Sequence, residues 1–304
     1  MFRRELGIWK RLRHSNILKF MGTTSGFGPS LALVAPWMTN GTLTSFLDQN
    51  NETLGLRDRL FLLRDIAAGL NYLHTFCLTE DGHTDLNPVV HGDLTGTNVL
   101  IDSNRKAYLA DFGLSRTMKK SIGKTYLANM SCHPGAVRWT APELLSGEES
   151  ASAATTQSDM YSFGSIMLQV LTGHIPWWDL AKDTAVLLKV IGGEIHPRPN
   201  ICYVTGQQWD FMTCCWSTTP IDRPPAEEAI QFVDSALHPS TSPESLTCRI
   251  CWKKCDEQPN ADGSCQTCLR FCLQLLGRGA KRSEWLRVCY LFTSFPYHLT
   301  YYIF

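Results

Sequence analysis

The chain reads as an α+β protein, with a mostly helical body, a small amount of β-structure towards its start, and a small cysteine-rich module at its end. Three observations predict this. Long segments repeat their apolar residues at helical spacing, as in 56–74 and 158–173. Short apolar runs broken by turn residues mark paired strands, most clearly 99–101 and 107–110 around Asp102-Ser103-Asn104. Six of the twelve cysteines crowd between Cys248 and Cys272. With 304 residues, 44% apolar and 18% charged, the chain has enough material for a large core and one appendage. Its formal net charge of zero argues against the basic field that nucleic acid or an anionic membrane surface recruits. The remaining cysteines lack paired spacing, which fits reduced thiols in a cytoplasmic or nuclear protein better than a secreted disulfide framework.

In the first segment Phe2, Ile8, Trp9 and Leu12 recur near helical spacing with Arg and Lys opposite. That pattern predicts an amphipathic helix ending near Ser15-Asn16. No apolar run follows the charges, so it is not a secretory signal; an arginine-rich start also fits a transit peptide, which Glu5 and the strand pattern behind it oppose. Residues 30–47 read as strand, turn and helix start, with Asn40-Gly41 as the breaker. Residues 56–74 place Leu60, Leu63, Ile66, Ala67, Leu70 and Leu73 on one face of a long buried helix. The polar stretch 75–90 reads as a surface insertion, with His83 and Asp85 solvated rather than holding a metal. A helix from Ser158 buries Met160, Phe163, Ile166, Met167, Val170 and Leu171 and stops at Gly173. Residues 185–192, 208–216 and 226–237 supply further helices, with Trp209 and Trp216 filling the core between them.

The hairpin 99–110 has a chemical consequence. It holds the loop before its first strand, with Asp93 and Asn98, close to the loop after its second, with Asp111. Paired hard oxygens such as Asn98 and Asp111 suit Mg²⁺ carrying a polyphosphate, and a free carboxylate such as Asp93 suits taking a proton from a hydroxyl. The stretch His91-Gly-Asp-Leu-Thr-Gly-Thr-Asn98 followed by Asp111-Phe112-Gly113 resembles the H-R-D-L-x-x-x-N and D-F-G motifs of eukaryotic protein kinases. Val137-Arg-Trp-Thr-Ala-Pro-Glu143 resembles the A-P-E anchor in its tyrosine-kinase and tyrosine-kinase-like form.

The resemblance spans residues 2–237 and implies a protein-kinase-like fold, with 1–36 as a small-lobe remnant and 37–237 as hinge and large lobe. It implies Asp93 as catalytic base, Asn98 and Asp111 as Mg²⁺ ligands, and Glu5 as the small-lobe glutamate that pairs with a lysine. Ala35 falls at the gatekeeper position before an open back pocket, Pro36, Trp37 and Met38 form the hinge against adenine, and Leu100 joins them among the cofactor-binding residues. His91, Phe112 and Trp9 belong to an internal apolar column, Glu143 pairs with Arg223, and Asp159 holds the catalytic-loop backbone. Residues 114–140, rich in hydroxyls including Ser121, Thr125, Tyr126 and Ser131, fit an activation loop.

The departures matter physically. No glycine-rich phosphate loop precedes Glu5, and only four residues stand before it. Gly92 replaces the arginine that reads a phosphorylated activation loop. Thr95 replaces a lysine, and Thr97 is not basic either, so this loop brings no cation to the transferred group; losing one such charge commonly costs on the order of a hundred-fold in rate.

Residues 238–247 are a Pro/Ser-rich linker. In 248–277, Cys248-x-x-Cys251 and Cys265-x-x-Cys268 lie thirteen residues apart, a spacing that suits tetrahedral Zn²⁺ and a small zinc ribbon. Cys255 and Cys272 leave the ligand choice open, as do free thiols. The tail 278–304 is aromatic, too interrupted to span a bilayer, and without a functional reading. Two functions follow: a protein kinase passing the γ-phosphoryl group of Mg·ATP to a protein substrate, or a pseudokinase scaffold that binds a signalling partner.

Overall fold

A computed structural model of the chain describes residues 2–25, 32–76, 78–80, 83–85, 88–111, 135–145, 154–199 and 203–238. The chain divides into two compact units, residues 1–198 with 206–238 and residues 199–205 with 239–304. Everything below concerns the first unit. Helix α1 is Phe2–Arg11. It stops earlier than its apolar spacing predicts because tertiary partners take the next residues. The Arg13 amide donates to the Tyr72 hydroxyl at 2.8 Å, and the Asn16 side chain donates to the Ala107 carbonyl at 3.0 Å. Strands β1 (Gly22–Thr24) and β2 (Ala32–Val34) then pair antiparallel, with Thr23 opposite Leu33.

Helix α2 is Leu43–Asn50, capped by Thr42, whose hydroxyl accepts from the Ser45 amide while the Ser45 hydroxyl answers the Thr42 amide. Helix α3 is Leu56–Thr75. All six of its predicted inward residues are buried, and burying each leucine contributes about 1.5–3 kcal/mol. After it, the stretch read as a surface insertion carries a short hairpin, β3 (Leu78–Glu80) against β4 (His83–Asp85). The Asp81-Gly82 dipeptide, suited to a two-residue turn, is the signal that the polarity of the stretch concealed.

Strands β5 (Val99–Ile101) and β6 (Ala107–Leu109) pair with Val99 opposite Leu109. Their turn is fixed by the Asp102 carboxylate, which accepts from the Asn104 and Lys106 amides at 2.8 and 2.9 Å. A 3₁₀ helix (Ala136–Trp139) and the single-turn α4 (Pro142–Leu145) precede the central helix α5 (Thr156–Thr172). Every residue of α5 from Ser158 to Leu171 is buried, so this helix runs through the interior with neighbours on all sides. It begins two residues before Ser158, because Thr155 caps it and Ser158 completes the capping box. It ends at Gly173, whose φ of 80° is left-handed. Helices α6 (Asp183–Ile191), α7 (Gly206–Cys215) and α8 (Ala226–Leu237) complete the body. Helix α8 packs along α3 and α7 packs on α5. Trp216 is buried, while Trp209 is half-buried and meets it edge to face at 5.7 Å. No described helix is long and apolar enough to cross a membrane.

Candidate active site

The loop 91–98 is shaped from below by one side chain of α5. The Asp159 carboxylate is 1% exposed and accepts the His91 amide on one oxygen and the Gly92 amide on the other, both at 2.8 Å. His74, in the last turn of α3, lies 2.9 Å from the same carboxylate through Nε2. Two adjacent amides can face one carboxylate only if the backbone turns sharply, and Gly92 does so at φ 75°.

The hairpin then closes the site. The Asn98 side-chain amide donates to the Asp93 carbonyl at 2.7 Å and to its carboxylate at 3.1 Å. The Asn98 carbonyl accepts the Ala110 amide at 2.9 Å, which ties the base loop to the residue preceding Asp111. The buried His91 imidazole has its pKa lowered by burial, opposed by the carboxylates of Asp159, Asp93 and Asp111. Asp111 is exposed, adopts φ 54°, and accepts no hydrogen bond among the described residues. Aspartate is one of the few non-glycine residues that adopt this left-handed region readily.

The hinge is pinned to the same hairpin. The Asn40 amide donates to the Ile101 carbonyl at 3.1 Å and the Ile101 amide to the Gly41 carbonyl at 2.8 Å, with Leu100 half-buried between. Ala35, Pro36 and Met38 are half-buried, but Trp37 is 87% exposed. Its indole faces solvent, so Trp37 can contribute only its backbone to a ligand on the hinge. Below the loop, Arg223 grips Glu143 with two parallel bonds of 2.7 and 2.9 Å, its side chain wholly buried. Arg223 also donates to the carbonyls of Ser217 and Gln157 and lies 5.2 Å over the Tyr161 ring.

Comparison with known proteins bears on this geometry. Residues 1–233 match the family model described as protein tyrosine and serine/threonine kinase. The chain is a member of that kinase family. It is 35% identical over 244 residues to the probable serine/threonine-protein kinase SIS8 of Arabidopsis thaliana, covering 79% of this chain and 21% of that protein. It is 35% identical over 225 residues to the serine/threonine-protein kinase CTR1 of the same plant, covering 73% of this chain and 25% of that protein. It is 29% identical over 238 residues to human serine/threonine-protein kinase TNNI3K, covering 78% and 26%. The chain therefore spans about a quarter or less of these curated relatives' lengths.

The kinase family implies ATP and Mg²⁺. An exposed Asp111 carboxylate, next in chain to the Ala110 that the Asn98 backbone holds, and the Asn98 amide bonded to Asp93 supply the hard oxygen donors that suit a cation carrying phosphate oxygens. Trp9, expected in a column with His91 and Phe112, donates to the Leu18 carbonyl at 2.7 Å and rests against Phe20 at 5.1 Å. Phe112, the activation-loop hydroxyls, Cys248, Cys251, Cys265, Cys268 and the Glu5 side chain lie outside the described residues. Among the described residues no cluster of three His, Cys, Asp or Glu could hold a metal.

Sequence reasoning missed three residues. His74 joins Asp159. Gln169 accepts from the Trp139 indole at 3.2 Å and donates to Thr44 at 3.0 Å. Arg138 is buried and holds the carbonyls of Pro176, Trp177 and Leu180 together with Asp183. His74 at a helix end carried a weak signal. Nothing local marked the other two.

Proposed function

We propose that this chain transfers the γ-phosphoryl group of ATP to a protein hydroxyl, with Asp93 accepting the hydroxyl proton and Asn98 and Asp111 supplying oxygen ligands for Mg²⁺. The observation that carries the reading is Asn98, whose side-chain amide donates to both the carbonyl and the carboxylate of Asp93 while its backbone carbonyl accepts the Ala110 amide. These bonds tie Asp93, Asn98 and the residue before Asp111 to one hairpin, which supports the reading because phosphoryl transfer mainly requires positioning. Bound Mg²⁺ would supply charge neutralisation on the phosphate oxygens. The hinge backbone from Ala35 to Met38 and the Leu100 side chain would orient adenine, and the Glu143–Arg223 pair steadies the platform on which a protein acceptor lies.

The test is transfer of labelled phosphate from Mg·ATP by the chain, alongside its thermal shift with nucleotide. The expected result is a raised melting temperature and measurable transfer, with Asp93→Asn abolishing transfer but keeping the shift. Wild-type protein with neither signal at millimolar nucleotide refutes the reading. A catalytically silent scaffold for a signalling partner is the second reading. The observation favouring it is that Thr95 and Thr97 bond one another where the family supplies a cation. A nucleotide-induced shift without transfer would establish that alternative. For the appendage, the spacing of Cys248, Cys251, Cys265 and Cys268 supports a zinc ribbon, and elemental analysis should find one zinc per chain.

A further inference from the structure

The segment 136–140 is held from two sides. On one, the Trp139 carbonyl accepts the Ser162 hydroxyl at 2.8 Å and the Trp139 indole donates to Gln169, which fastens the segment to α5. On the other, the buried Arg138 side chain reaches the loop between α5 and α6. Its Nη1 donates to the carbonyls of Pro176 and Trp177 at 3.1 and 2.7 Å, and its Nη2 to the Leu180 carbonyl at 2.9 Å. Its Nε donates to the Asp183 carboxylate at 3.1 Å. Asp183 opens α6, and α6 packs on the 3₁₀ helix that carries Arg138. One guanidinium thus joins the segment, the loop and a helix start.

The loop it grips is strained. Trp177 adopts φ 57°, a left-handed conformation that a bulky side chain disfavours and that persists only where the surroundings over-determine it. The Arg138 bond to the Trp177 carbonyl supplies that constraint. Trp177 is 3% exposed there and the next residue, Trp178, is 67% exposed. Replacing a buried ion pair by apolar residues of similar volume is often neutral or stabilising, so stability alone does not account for a guanidinium at this place. The far end of the segment meets the site, because Thr140 lines one cavity with Asp93 and Thr95.

We propose that Arg138 is a positioning residue for the protein acceptor. It locks 136–140, the Trp178 loop and the start of α6 into one surface beside the cavity that Thr140 shares with Asp93, and the acceptor chain lies along that surface. Acceptor affinity depends on the lock; nucleotide affinity does not, since none of the four partners of Arg138 belongs to the hinge or the β5–β6 hairpin.

This inference rests on the phosphoryl-transfer reading above, and its test separates the two. Initial rates of transfer from labelled Mg·ATP to casein are measured for the full chain, for Arg138→Met and for Asp183→Asn, varying casein at saturating ATP and then ATP at fixed casein. Arg138→Met should raise KM for casein roughly tenfold, the equivalent of one lost charge-assisted bond. Asp183→Asn, made at a half-exposed carboxylate where folding is least affected, should raise it roughly threefold. KM for ATP should stay at its wild-type value in both. A role in folding alone would reduce the amount of active protein and lower kcat, without moving either KM. Wild-type KM for casein in either folded variant, or KM for ATP rising in step with it, overturns the proposal while leaving transfer intact. A wild-type chain that transfers nothing overturns both.

Discussion

Replacing Asp159 with Asn tests the architecture of the site most directly. The carboxylate accepts two backbone amides at 2.8 Å and lies 2.9 Å from His74 Nε2, all with 1% exposure. An amide of the same shape has one acceptor oxygen where two are in use. One of the two backbone N–H groups must then face an NH₂ donor inside the protein. Losing a charge-assisted bond costs about 1.5–3 kcal/mol, and stranding a buried donor about 1–3 kcal/mol. These overlap, giving roughly 2–4 kcal/mol for the substitution. In a domain of this size each kcal/mol moves the melting temperature by about 2–4 °C. Asp159→Asn should therefore melt roughly 4–16 °C lower by circular dichroism. A drop below about 2 °C would show that Asp159 does not organise the loop, since even one stranded amide costs more.

Glu143→Ala should lower stability by about 3–5 kcal/mol, read from urea midpoints, because it leaves a fully buried guanidinium with only carbonyl and ring partners. Combining it with Arg223→Ala should cost less than the two changes summed, and strict additivity would contradict direct pairing. Gly96→Ala should destabilise by about 1–3 kcal/mol through overpacking against Thr44 and Gln169. Acid should weaken the fold through His196, which burial between Trp177 and Trp216 pushes down to about 3 from an ordinary 6.5. Above the ordinary value the ring is neutral in both states and contributes no pH dependence. Below it the unfolded chain takes up a proton that the native state refuses, so stability falls with decreasing pH by up to about 1.4 kcal/mol per unit until the native ring also titrates. His91, lowered in the same direction by burial, adds to this. His196→Phe should flatten the fall in melting temperature between pH 6.5 and 4.5, and an unchanged slope would remove His196 as its source.

Much of the fold was legible because α3 and α5 repeat apolar residues over four or more turns, a signal no short tertiary contact overrides. The β5–β6 hairpin was legible from two apolar runs around Asp102-Ser103-Asn104, while its register, Ile101 opposite Ala107, was not. The end of α1 was not legible, since Tyr72 and Ala107, far along the chain, decide where it stops. That the Trp37 indole in the expected hinge is 87% exposed was not legible either, because apolar character in sequence does not reveal which way a side chain points. At the site, residue types named Asp93, Asn98 and Asp111. Only the coordinates supplied their link, since the Asn98 amide reaches Asp93 by bonds that no spacing encodes.

Sequence alone settled the helical body, the hairpin that carries the acidic groups and the kinase resemblance, because periodicity, turn chemistry and short motifs are properties of neighbouring residues. Tertiary structure decided how the base loop is held. Asp159 reaches the His91 and Gly92 amides across 68 and 67 residues of chain, and Gly96 must lack a side chain because Thr44 and Gln169 already occupy the space. Such constraints arise where distant segments compete for one volume or one hydrogen bond, and they come into being only once the chain has closed on itself.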